Sequence, residues 1–259
     1  MQLTAATYLT VLPFVFLAGL VDSIAGGGGL ISLPAYLAGG VPPHLALGNN
    51  KFSSTFGTLL STARYFKHGM IDVPVAFCGA AFALAGSALG TRTVLWIQPY
   101  FLNYVLLALI PALTVFALTN RNLGRPQAAE PKPLSGRVAL GALAGLVIGF
   151  YDGFFGPGTG TFLILFYAVL LKYDFVKANG NAKVVNLCSN IAALVVFWSY
   201  GKIQLALAAP AACFGIAGNL VGSKLVVCRG AHVIRPVFVL ALVLLFSKIA
   251  YDVFWRSVH

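Results

Sequence analysis

The second half of this chain repeats the first. Residues 46–51 read Ala-Leu-Gly-Asn-Asn-Lys, and 132 positions later residues 178–183 read Ala-Asn-Gly-Asn-Ala-Lys. The same offset pairs Gly69 with Gly201, Ile71 with Ile203, Gly86 with Gly218, Gly90 with Gly222 and Arg92 with Lys224. Upstream, an offset of 130 pairs Gly19 with Gly149, Asp22 with Asp152, Gly26 with Gly156 and Gly28 with Gly158. A duplication spanning a very apolar chain is a signature of secondary transporters. The matched positions are glycines and polar side chains, the residue types from which a binding site is built.

The chain is 59% hydrophobic and 9% charged, against roughly 25% charged in an average soluble domain. That much apolar surface needs lipid, so the reading is an integral membrane protein. The first residues, Met-Gln-Leu-Thr-Ala-Ala-Thr-Tyr, lack the cationic region of a signal peptide, so the first apolar run is expected to stay as a membrane segment. A net charge of +11 would suggest nucleic acid in a soluble protein; here the cations fall in short loops, and no nucleic-acid partner is expected. Cys78, Cys188, Cys213 and Cys228 form no CxxC pair, so no zinc site or disulfide framework is indicated.

Apolar runs fall near 8–24, 29–41, 47–66, 73–95 and 100–119, and again near 137–154, 160–171, 183–200, 205–227 and 236–255. None alternates with period two, so helices are expected rather than a barrel. A spanning helix needs about 20 apolar residues. The second run of each half is shorter, and it follows a glycine-rich stretch, Gly26-Gly27-Gly28-Gly29 or Gly156-Pro157-Gly158-Thr159-Gly160. The polar stretch 120–136 divides the repeats. The expected fold is therefore an all-α membrane protein of about ten segments, eight full-length and two short. Its units are a first repeat over 1–119, a linker over 120–136 and a second repeat over 137–259.

Charge orients these segments. With ten passes and a cytoplasmic linker, 11 of the Lys and Arg residues fall at inside ends, 3 at outside ends, and Lys51, Lys183 and Lys248 lie within segments. Eight passes would move Lys172, Lys177, Lys224, Arg229 and Arg235 outside, against the positive-inside rule. Five segments per repeat then place the halves in opposite orientations, with both termini outside.

The candidate site lies at the duplicated motifs. Consecutive glycines break a membrane helix, and exposed backbone is tolerated only where protein or a cavity surrounds it. The N–H groups of the helix that follows form an anion site. Gly26, Gly27, Gly28, Gly156 and Gly158 are therefore candidate ligands, with tight helix packing as the competing reading. Lys51 and Lys183, each two residues after Asn49 or Asn181, are embedded cations whose natural transporter partner is an anion. Snorkelling from nearby helix starts competes with that role. Thr55, Asn186 and Asn190 sit one to two turns downstream and could supply hydrogen bonds, or could join helices. Asp22 and Asp152 precede the glycine stretches by four residues. Three roles are open to them: pairing with a Lys across the halves, capping the broken helix, or carrying a coupling proton. No metal spacing, nucleophile elbow or phosphate-binding loop occurs, and no cofactor is called for.

At these residues the chain resembles the TauE/SafE family of sulfite and organosulfonate anion exporters. The resemblance rests on Asp22-Ser-Ile-Ala-Gly-Gly-Gly-Gly-Leu30 with Pro34, on Gly48-Asn49-Asn50-Lys51, on Gly149-Phe-Tyr-Asp152-Gly-Phe-Phe-Gly-Pro157-Gly158, and on Ala182-Lys183 with Asn186 and Ser189-Asn190. It covers nearly the whole chain and is nearest to a bacterial inner-membrane branch of unassigned substrate. It implies a multi-pass permease for small anions, often sulfur-containing. The residues by themselves point to a secondary transporter of a small oxyanion or sulfonate. An uncoupled anion channel and a membrane-embedded enzyme are the rival classes.

Overall fold

The computed structural model describes residues 3–96 and 133–256. The fifth apolar run (100–119), most of the linker and both chain ends lie outside the described residues. Nine helices are described: α1 (Ala5–Ala25), α2 (Gly29–Ala38), α3 (Pro43–Lys67), α4 (Val73–Trp96), α5 (Leu134–Phe154), α6 (Thr159–Leu170), α7 (Phe175–Ser199), α8 (Leu205–Arg229) and α9 (Ala231–Arg256). Among the described residues there is no strand.

Five of these helices, α1, α4, α5, α7 and α8, are long and apolar enough to cross a membrane. Helix α3 has the length but not the apolarity, because Asn49, Asn50, Lys51, Ser53, Thr55, Thr58 and Ser61 are all buried along it. Those side chains face protein, so α3 is shielded from lipid by its neighbours rather than by its own composition. Helices α2 and α6, of 10 and 12 residues, are about 15 and 18 Å long, roughly half the hydrocarbon thickness.

Local chemistry sets the boundaries. The Thr4 side chain caps α1 by accepting the Thr7 N–H, and Asp174 caps α7 by accepting the Lys177 N–H. Helix α1 ends where Gly26 turns left-handed at φ 77° and returns its N–H to the Asp22 carbonyl. Gly156 (φ 91°) and Gly158 (φ 80°) make the corresponding break between α5 and α6. Helix α7 is the most internal span: 61% of its apolar window is buried, against 22–44% for the others.

The two halves pack on each other through matched contacts. At Gly218 of α8 a Cβ would strike the backbone of Phe16 and Leu20 on α1; at Gly86 of α4 it would strike Leu146 and Phe150 on α5. A Cβ at Gly48 would strike the Lys202 carbonyl, and one at Gly180 the Met70 carbonyl. Helix α1 thus packs on α8 and α5 on α4, with small residues letting the backbones approach. Beyond these seams, Asp72 between α3 and α4 takes Arg137 of α5 at 2.5 Å, the Tyr173 hydroxyl at 2.5 Å and Lys177 of α7 at 3.7 Å.

Candidate functional site

The two helix breaks meet. A Cβ on Gly26 would overlap the backbone of Gly160, and one on Gly160 would overlap Gly26. The Thr161 hydroxyl donates to the Ala25 carbonyl at 2.9 Å, joining the start of α6 to the end of α1. Gly28 is required for a second reason, since a Cβ there would press on Asp22 and the Ala18 carbonyl. Close approach and chain reversal together explain the glycines. Among the described residues, the N–H groups of Gly28 and Gly29, and of Gly160 and Thr161, donate to no acceptor. They are the orphan donors of two helix starts.

Each half sends a lysine to the other half's break. Lys51 Nζ lies 2.6 Å from Asp152 Oδ2, with both side chains 3% exposed. Its second partner is Asn190 Oδ1 at 3.0 Å. It also lies beside the second break, where a Cβ on Gly156 would sit 3.4 Å from Nζ. Lys183 Nζ lies 2.8 Å from Asp22 Oδ2 and donates as well to the Asp22 carbonyl. The Ser189 hydroxyl holds Asp152 at 2.6 Å, and the Thr58 hydroxyl reaches Asp22 at 3.5 Å.

The competing snorkelling reading does not fit this geometry. The sequence runs placed both lysines near helix starts, but α3 begins at Pro43 and α7 at Phe175. Each lysine therefore lies more than two turns inside its helix, with its ammonium in a buried ion pair. Such pairing is how a charge survives in an apolar interior.

The other candidates divide. Asn190 joins the Lys51 cluster, and Asn186 is buried one turn before it. Asn49 instead accepts the Gln204 N–H at 2.8 Å, just before the start of α8. Asn181 donates to the Lys177 carbonyl at 2.7 Å, and the Thr55 hydroxyl returns to the Lys51 carbonyl at 2.7 Å. These three brace helices in this structure. Ser32 and Asn219 were not singled out by motif, although both are buried. With Asp22, Asn50, Ser53 and Ser54 they line a small recess with room for about one water. Among the described residues no group of three His, Cys, Asp or Glu gathers to hold a metal ion.

The family model described as "Sulfite exporter TauE/SafE" matches residues 11–249. The chain belongs to this family. It is 34% identical over 240 residues to a protein of Haemophilus influenzae named a probable membrane transporter protein, covering 93% of each chain. It is equally 34% identical over 245 residues to the Escherichia coli K12 protein named probable membrane transporter protein YfcA, covering 94% of this chain and 90% of that one. A more distant relative is Bacillus subtilis YjnA, also named a probable membrane transporter, at 25% identity over 224 residues and 82% of this TauE/SafE chain. No solved structure matches at a significant level.

Proposed function

We propose that this TauE/SafE protein is a secondary transporter of the bacterial inner membrane that carries a small anion, a sulfur-containing oxyanion or an organosulfonate. One observation carries the reading: two buried lysines from opposite halves, each held beside the other half's broken helix. An ammonium has three N–H donors. Lys51 uses two, on Asp152 and Asn190, and Lys183 uses two, on the carboxylate and carbonyl of Asp22. One donor remains on each, and the helix starts after the two breaks add orphan N–H groups to the donor set. Oxyanion oxygens are acceptors only and suit such a set.

The accompanying architecture is ten segments in two inverted repeats, 1–119 and 137–259, joined by a cytoplasmic linker at 120–136. The matched contacts of Gly86 with Gly218 and Gly48 with Gly180 support it, as do the reciprocal lysine–aspartate pairs. The names of the relatives and of the family support the transport class. An anion entering here competes with Asp22 and Asp152 for the lysines, so binding is reversible by construction, as carriage requires. Asp22 and Asp152 hold the lysines and the breaks in the anion's absence.

The test is binding of sulfite, sulfate and methanesulfonate to purified protein. Removing one cation from a buried charge site costs about 2 kcal/mol or more, about 30-fold in affinity. Lys51→Ala and Lys183→Ala are each expected to lose that much. Lys67→Ala, at the exposed end of α3, is expected to bind as wild type does. Wild-type affinity in both buried-lysine variants would overturn the site, and no binding of any probe would overturn the substrate class.

A further inference from the structure

The recess beside Asp22 is built from oxygen acceptors. Asn219 Nδ2 donates to the Gly215 carbonyl at 3.0 Å, which sets the amide's orientation and leaves Oδ1 buried without a partner. The Ser32 hydroxyl spends its proton on Asn50 Oδ1 at 2.6 Å, and the Ser53 hydroxyl on the Asn50 carbonyl at 3.1 Å. Both oxygens keep lone pairs. Asp22 Oδ2 takes Lys183 and Thr58, while Oδ1 has no partner among the described residues. The donors left on the wall are the Asn50 amide, the Ser54 hydroxyl and the Gly28 N–H at the start of α2. Four oxygens with free lone pairs, on Asp22, Asn219, Ser32 and Ser53, line the recess beside the C-terminal end of α1, where the helix dipole favours positive charge.

The duplication makes the point sharper. The repeat keeps the lysine, the aspartate and the glycines, but not this recess. The repeat-related counterparts of Ser32, Asn50, Ser53 and Asn219 are Phe162, Ala182, Val185 and Ser87. A role in anchoring helices would be needed at both sets of repeat-related positions; these side chains occur at one set only.

We propose that this recess is a sodium-ion site, with Asp22 Oδ1, Asn219 Oδ1 and the Ser32 and Ser53 hydroxyl oxygens as ligands. Its free space admits about one water-sized body, the scale of one dehydrated monovalent ion. A single carboxylate already shared with an ammonium supplies too little charge to strip a divalent ion of its water. The coupling, which rests on the anion reading above, follows from charge. Both lysines are already neutralised by aspartates, so an entering anion adds an uncompensated charge to a buried site. A sodium ion on Asp22 restores neutrality and competes with Lys183 for the carboxylate, which frees the ammonium for the anion.

The test needs no transported anion. Thermal unfolding of the purified full chain in detergent is compared in sodium chloride and choline chloride at equal ionic strength. The expected result is a saturable rise in Tm with sodium only, as ligand linkage demands. Asn219→Ser and Ser53→Val, which install the repeat-related residues separately, are each expected to raise the half-saturating sodium concentration at least tenfold. Identical wild-type curves in the two salts would overturn the site and leave the recess to water. An unchanged sodium response in either variant that folds would place the ion elsewhere and overturn it too. Failure of the anion reading would leave the sodium shift intact, and failure of the sodium site would leave the lysine-dependent anion affinity intact.

Discussion

The Lys51–Asp152 pair offers the sharpest test of how this interior is held. The two groups lie 2.6 Å apart, each 3% exposed, and each has one further polar partner. Asp152→Asn keeps the shape and removes the charge. Lys51 is then left as a buried cation with only amide neighbours. Breaking one partner of a buried pair costs about 3–5 kcal/mol. At about 2–4 °C per kcal/mol for a chain of this size, Tm is expected to fall by about 6–20 °C. Removing both charges with Lys51→Met and Asp152→Leu is expected to return stability to within about 1–2 kcal/mol of wild type, since an apolar pair avoids the desolvation penalty. Circular-dichroism melts of Lys51→Met, of Asp152→Leu and of the double variant close the cycle. The double variant should still bind no anion, which separates the structural role of the pair from its functional one. A loss below about 1 kcal/mol in Asp152→Asn, or a double variant as unstable as the sum of its parts, would refute the argument that the charges hold each other.

Two further outcomes follow from the helix breaks and from the charge pattern. Gly26→Ala and Gly40→Ala both place a Cβ at a left-handed residue, φ 77° and 78°, but Gly26 faces Gly160 backbone while Gly40 has nothing within 4 Å. Each is expected to lose about 1–2 kcal/mol from backbone strain, and Gly26→Ala about 1–3 kcal/mol more from overpacking; equal melts would show that the breaks do not meet. In a cysteine-free background, Ala128→Cys is expected to react with impermeant maleimide only from the cytoplasmic side of vesicles, and labelling from the outside would reverse the proposed orientation.

Much of the fold is written locally, and that part is legible in the sequence. Helices follow from continuous apolar runs, and the breaks from glycine stretches that no helix in lipid tolerates unshielded. The embedded lysines and aspartates stand out for the same reason: each is too costly in hydrocarbon to lack a partner. The duplication by itself marks them as pairs. Helix extents are less legible, because polar residues at a buried start look like a loop. The first turns of α3 and α7, from Pro43 and Phe175, were hidden in this way, and with them the depth of both lysines.

What the sequence could not choose among is everything that depends on which surfaces meet. Three roles were open to Asp22 and Asp152 in the sequence; the structure pairs Asp152 with Lys51 and Asp22 with Lys183, each across the halves. Asn49 and Asn181 share the lysine motif but turn to Gln204 and to the Lys177 carbonyl, since residues two apart on a helix point in different directions. The recess joins Asp22 to Asn219 across nearly 200 positions of chain, and Asn219 carries no local signal beyond being polar. Amino-acid type determines that a buried charge or amide must find a partner; only the packing of α1 on α8, and of α3 and α7 on the opposite breaks, decides which partner it finds.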